Sequence, residues 1–414
     1  MRMENTLLKV NRERLLETLK VSSSIGPSGN GGMNRLALSD ADKNMRDIFV
    51  DWLKEAGLDV RIDDFGNIYG RRKGKRDDGP SVAIGSHLDT QPCGGKYDGI
   101  LGVLSALEVI RVLNENDIET EYPVEVINFT NEEGARFSPP MLGSGGITGN
   151  FSKDFIYGIK DDEGISFEQA LNEINYSGSI QNRITNVKNF IELHIEQGPI
   201  LHEKDITIGI VQGIQGNDLY TVKVTGKTNH AGPTPMENRR DALVAASKMI
   251  VKVNEITDEV QGLKTTVGKV NVTPNVTNVI PGEVEFTIDI RHEDNDLRSH
   301  AFERLKEQLS AIALMSEVEL TITTDWNSET TLFSSVVKDA IQEAADEFGY
   351  SKMDLFSGPG HDAKYMAGVS DTGMIFVPSV DGISHNEQEL TIDDDIEKGA
   401  NVLLHVVQKL AEAK

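Results

Sequence analysis

The sequence predicts an α/β protein built on a mostly parallel sheet, with a smaller βαββαβ unit inserted into it. Three observations carry that expectation. Short apolar runs alternate with helical patterns in the first half of the chain and again near its end. Between residues 218 and 326 the alternation changes to a different order. The 414 residues exceed one ordinary domain.

Residues 1–20 have leucines at helical spacing among charges and suggest one amphipathic helix. Gly and Ser dominate 22–34, a flexible loop, and a helix over 40–57 follows with Asp40 as its N-cap. A strand and turn occupy 60–70, and the charged RRKGKRDDGP after them suggests a solvated hairpin connection. The α/β rhythm then sets in: strand 82–87, apolar helix 99–113, strand 124–130 and strand 190–195. It resumes late with helix 334–348, strand 374–377 and a closing helix over 393–413. In between come strand 220–225, helix 238–256, strands 265–272 and 283–290, helix 296–315 and strand 317–324. That is the ferredoxin-like order. Glycines 213 and 216 on one side and Asn327–Ser328 on the other are the natural hinges, so the expected division is 1–216, 217–328 and 329–414, the outer two forming one domain.

Hydrophobic residues at 38% and charged residues at 26% are ordinary for a globular chain. Forty-one Lys and Arg against 66 Asp and Glu leave a net charge of −25, which repels phosphate backbones and anionic lipid and argues against nucleic-acid or membrane binding. Cys93 is the one cysteine, so no internal disulfide is possible. The opening segment lacks an apolar h-region, and the longest apolar stretch, 99–113, is broken by Glu108 and Arg111. A soluble cytoplasmic protein is the expectation.

The histidines and acids fall in a telling pattern. His87 and Asp89 end one strand, Asp98 precedes the next helix, Glu132 and Glu133 follow a second strand, His194 ends a third, and His385 follows a fourth. In open α/β sheets sites form beyond the carboxyl ends of strands, and five segments deliver His, Asp or Glu to that edge. Imidazole and carboxylate without thiolate suit zinc, manganese or cobalt in an open catalytic site. Two such ions about 3.5–4 Å apart share a water and polarise a carbonyl. Asp89 is expected to accept the second imidazole N–H of His87. Adjacent Glu132 and Glu133 point different ways, so one can ligate while the other handles the water's proton. His202, His292 and His300 lie among charges as surface or structural residues, and His361 either lines the site or caps a turn. Cys93 is a spectator, and the glycine runs GPSGNGG and GSGGITG fit neither the P-loop nor the Rossmann pattern.

Taken together, GSHLDT, GGKYDG, NFTNEEGARF, HIEQGP, NHAGPTPMENRRDA, SGPGHDA and GISHNE resemble the M20 metallopeptidase clan, and within it the amidase branch of N-carbamoyl-L-amino-acid hydrolases, allantoate amidohydrolases and β-ureidopropionases. The motifs run from about 85 to 390 in family order. The resemblance implies that His87 and His194 hold one divalent ion, Glu133 and His385 a second, and that Asp98 bridges them. Zinc is the first choice, with manganese, cobalt or nickel as alternatives. It implies Glu132 as general base and His230 as the oxyanion's donor, usually reaching in from a partner subunit. Asn278 and Arg291 would bind the substrate's α-carboxylate, with Gln197 and Gly360 as further substrate contacts. It also implies a homodimer formed through the inserted domain. The expected reaction is cleavage of the ureido C–N bond of an N-carbamoyl-L-amino acid to amino acid, CO2 and ammonia. Allantoate or β-ureidopropionate hydrolysis, an aminoacylase or peptidase activity of the same clan, and a non-catalytic carboxylate binder are the alternatives. Where allantoate-specific members tend to carry Gln and Arg after the glycine hinge, this chain has Asn217 and Asp218, which weakens the allantoate reading.

Overall fold

In the computed structural model, which describes residues 7–412, the chain forms two compact units. One runs to Gln212 and resumes at Leu332; the other spans Gly213–Thr331.

The first unit is organised by a mixed sheet whose order begins Asp59–Ile62, Ile68–Arg72, Val124–Phe129, Ser81–His87, Val187–Ile195, Asp371–Val377, Ile208–Ile214. The four strands from Val124–Phe129 to Asp371–Val377 are parallel. Ile68–Arg72 on one side and Ile208–Ile214 on the other are antiparallel to them. Ser81–His87 and Val124–Phe129 are buried at every residue, as strands covered on both faces must be. Helix Ile100–Glu115 is buried nearly all round because it packs on the sheet beneath Arg12–Ser22 and Asp393–Leu410. Parallel strands all end at the same edge, so His87, Phe129, Ile195 and Val377 open onto one shelf.

Four local expectations are corrected. The first helix begins at Arg12, where the Asn11 side chain accepts the N–H of Arg14; residues 1–6 of the expected helix lie outside the described residues. Helix Asp40–Glu55 is capped by Ser39, whose hydroxyl accepts the Asp42 N–H, leaving Asp40 in the first turn. The charged segment after Ile68–Arg72 is no hairpin connection, because Val124–Phe129 lies between that strand and Ser81–His87. Its first arginine is not solvated either, since Arg71 pairs at 2.7 Å with Glu125, which is buried. In the second unit, the strand expected over 265–272 is two short ones, Lys264–Thr266 and Val270–Thr273, both paired with Glu283–His292.

That second unit is a sheet in the order Val270–Thr273, Glu283–His292, Gly216–Thr225, Glu319–Ser328, antiparallel throughout. Val284, Phe286, Ile288 and Ile290 alternate inward along one strand and meet helices Ala242–Glu255 and Asn295–Met315 in a core of their own. Among the described residues no helix is long and apolar enough to cross a membrane.

Candidate active site

Asp98 sits at the centre of the shelf. Its Oδ1 lies 3.2 Å from His194 Nε2 and 3.8 Å from His87 Nε2. Its Oδ2 lies 3.3 Å from His385 Nε2 and accepts the side-chain amide of Gln197 at 3.0 Å. Glu133 reaches His385 Nε2 from the other side at 3.5 Å, and Glu132 reaches His87 Nε2 at 3.5 Å. Two groups with metal-ligand spacing therefore share Asp98: His87, Asp98 and His194, and Asp98, Glu133 and His385.

The backbone sets this up. Gly99 has a φ of +68°, and a Cβ there would fall 2.3 Å from the His87 ring, so only glycine lets the Asp98 loop lie against that imidazole. Asn131, Gln197 and His385 all have positive φ as non-glycine residues, at 58°, 57° and 52°. Such conformations persist where surrounding structure enforces them, and they gather at functional sites.

Protonation follows from the hydrogen bonds. His87 Nδ1 lies 2.9 Å from the carbonyl of Asp89 and His194 Nδ1 lies 2.9 Å from the carbonyl of Ile195. A carbonyl only accepts, so each Nδ1 carries the proton and each Nε2 turns a lone pair inward. The Gly99 N–H donates to His194 Nε2, in keeping with that tautomer. His87 Nε2 is buried without a hydrogen-bond partner and faces two carboxylates. Lone pairs pointed at carboxylate oxygens repel unless a cation stands between them, so this donor set fits a divalent metal.

Electrostatics separate the two rings. Burial lowers His87 to about 4, keeping it neutral. Burial would lower His194 as well, but Asp98 overrides it and carries it up to about 9. A divalent cation against Asp98 supplies the positive charge that a proton on His194 would otherwise provide. Glu132 is pushed well above the usual carboxylate range by burial and then by Asp362, Glu133, Asp89 and Asp98; Glu133 is pushed up by burial, then by Asp98 and Asp89.

Asp89 differs from expectation. Its backbone carbonyl, not its carboxylate, takes the His87 proton, and Asp89 Oδ1 stands 4.0 Å from that nitrogen. The carboxylate instead accepts the backbone N–H groups of Glu132 and Glu133, each at 3.2 Å. His361 is buried with its ring edge-on to His194 at 4.5 Å between centroids and its Nε2 3.0 Å from Ser357 Oγ. Gly360 beside it is exposed next to Met141. Cys93 is exposed, and buried His292 is held by the carbonyls of Gln261 and Asp294.

His230, Asn278 and Arg291 belong to the second unit. His230 pairs with Val279 on a short ladder, and the Ala231 N–H donates to the Asn278 carbonyl, so His230 and Asn278 are neighbours. The Gly232 N–H donates to His230 Nδ1, which leaves the proton on the exposed Nε2 as an outward donor. Arg239 braces this loop through the carbonyls of Ala231 and Thr234. Arg291 forms an ion pair with Asp289 at 2.8 Å, and Asp289 also accepts from Asn217.

Sequence reasoning missed three acids. Glu389 accepts from the backbone of Tyr97 and Asp98. Glu192 joins Ser86 to the Ala363 N–H. Asp362, buried beside Ser144, acts electrostatically on Glu132. Glu192 lies two residues before His194 and Asp362 follows His361, so proximity to a candidate histidine was the available signal.

A family model described as Peptidase family M20/M25/M40 matches residues 83–409. The chain belongs to this family. Among M20 relatives, an N-carbamoyl-L-amino-acid amidohydrolase of Rhizobium meliloti is 40% identical over 98% of this chain and 97% of its own length. An allantoate amidohydrolase of Bacillus subtilis is 34% identical over 99% of this chain and 100% of its own. A solved structure from Burkholderia multivorans, titled an amidase of the hydantoinase/carbamoylase family, matches with a TM-score of 0.93 at 45% identity, covering 98% of both chains. The α/β architecture with its mostly parallel central strands is the M20 amidase architecture expected from the motifs.

Proposed function

We propose that this protein is a di-metal amidohydrolase that cleaves N-carbamoyl-L-amino acids to amino acid, CO2 and ammonia. The observation that carries the reading is the shared Asp98 carboxylate, with His87 and His194 on one side and His385 and Glu133 on the other. In this reading His87, Asp98 and His194 hold one divalent ion and Asp98, Glu133 and His385 the other, with zinc the first choice. Bound there, the ions supply Lewis acidity, lowering a water's pKa towards about 7 and polarising the ureido carbonyl.

The chain's own residues do the rest. Glu132, buried with its carboxylate 3.5 Å from His87 Nε2, takes the water's proton and returns it to the leaving nitrogen. His230 donates its Nε2 proton in a hydrogen bond to the oxyanion. Arg291 grips the substrate's carboxylate with its planar guanidinium while Asn278 adds an amide donor. Gln197, fixed by Asp98, and Gly360, with no side chain to obstruct, complete the substrate's contacts. A homodimer formed through the inserted unit and a cytoplasmic location belong to the same reading.

The names of the R. meliloti and B. subtilis relatives supply the two leading substrates, and the first leads because that relative is the more similar of the two, at 40% identity against 34%. Asn217 donates to Asp289, the partner of Arg291. Ammonia release from a panel of N-carbamoyl amino acids, allantoate, N-acetyl amino acids and dipeptides, with elemental analysis of the same preparation, tests the proposal. Turnover of N-carbamoyl-L-amino acids with two ions per chain is expected, and E132Q should lose about 10²–10⁴-fold in kcat with its metal intact. Full turnover by E132Q, or activity in metal-free protein, would refute it.

A further inference from the structure

We infer that Glu389 is a positioning residue that locks the loop bearing His385 to the loop bearing Asp98 and thereby sets how tightly the second ion is held. The inference rests on the two-ion reading above. His385 is the least supported of the imidazoles: its side chain is 48% exposed, its φ is +52°, and it sits outside any strand or helix. His87 and His194, by contrast, are buried within strands.

Glu389, four residues on, is buried, and its carboxylate reaches across both loops. Oε1 accepts the backbone N–H groups of Tyr97 at 3.1 Å and Asp98 at 3.2 Å. Oε2 accepts the hydroxyl of Ser384, the residue before His385, at 3.0 Å. One carboxylate thus joins the two segments that must present Asp98 and His385 to a single ion. Gly95 completes the lock. A Cβ there would fall 1.8 Å from Glu389 Oε1, so the carboxylate occupies space that only glycine at 95 leaves open. Groups that orient metal ligands commonly change metal affinity about 10–100-fold when removed.

The test compares wild type, E389Q, E389M, E389A and G95A by elemental analysis after dialysis, by competition titration with Zn2+ and by thermal melting of the metal-free forms. Wild type should hold two ions. E389A and G95A should keep the first and lose affinity for the second by about 10–100-fold. E389Q retains an acceptor for the two amides and should stay nearer wild type, while E389M, which keeps the bulk without an acceptor, should lose affinity for the second ion as E389A does, an outcome that loss of bulk packing does not predict. If E389A does not fold, G95A and S384A interrogate the same lock from its other two sides. Wild-type affinity for both ions in E389A, or in both G95A and S384A, overturns the inference alone. Fewer than two ions in wild type overturns the two-ion reading and this inference with it.

Discussion

Asp89 shows how much of this site is organised by groups outside the proposed ligand set. Its carboxylate, buried and raised to about 7 by burial and then by Asp42, holds the backbone of both Glu132 and Glu133. An amide at this position has only one acceptor oxygen for two N–H groups, so D89N leaves one buried donor unpaired at a cost of about 1–3 kcal/mol. We expect D89N to melt lower and to lose about 10–100-fold in kcat, with His87 still in place because its proton goes to a main-chain carbonyl. A D89N enzyme with unchanged kcat and melting temperature would remove Asp89 from the account. That His87 would have an outer partner near Asp89 was legible from their spacing. Which atom of Asp89 served was not, since the choice between carboxylate and carbonyl depends on the chain's turn after the strand.

Strands and helices were legible where burial is uniform and obscure where one long-range partner decides. Ser81–His87 and Val124–Phe129 are buried at every residue, and their bounds fall within one residue of the strands expected over 82–87 and 124–130. The segment after Ile68–Arg72 misled because its charges suggest solvent, while the partner of Arg71, Glu125, is 54 residues away on the intervening strand. Asp64 makes the same kind of distant tie. It accepts from Arg183 at 2.7 and 2.9 Å and pairs with Lys153 at 3.0 Å, fastening three segments. Burial would raise its pKa, but Arg183 and Lys153 bring it below the usual range. With the folded value depressed, the unfolded chain binds the proton first as pH falls. The stabilisation is therefore present above the unfolded pKa of about 3.9 and vanishes below the folded one. The difference in melting temperature between wild type and D64N should shrink from pH 5 to pH 2.5; a difference that stays constant means the ion pairs contribute nothing.

The two units keep separate hydrophobic cores, one from Val10 to Ala411 and one from Tyr220 to Ala313, with no residue in common. All five candidate ligands, from His87 to His385, belong to the first. An ion that binds the folded first unit and not the unfolded chain adds RT ln(1 + [L]/Kd) to that unit's stability, about 4 kcal/mol at a thousand times Kd. For a body of this size each kcal/mol moves a transition by roughly 2–4 °C. The candidate ligands come from strand ends and loops far apart in sequence, so an ion bound by them would clasp the first body. Dialysis against a chelator should abolish hydrolysis and lower one calorimetric transition by on the order of 10 °C, and Zn2+ should restore both. The transition of the second unit, isolated as a variant with the metal ligands replaced, should not respond to Zn2+. A uniform rise of both transitions with metal, or a fully active chelator-treated enzyme, would show that these side chains do not work as a metal centre confined to the first unit.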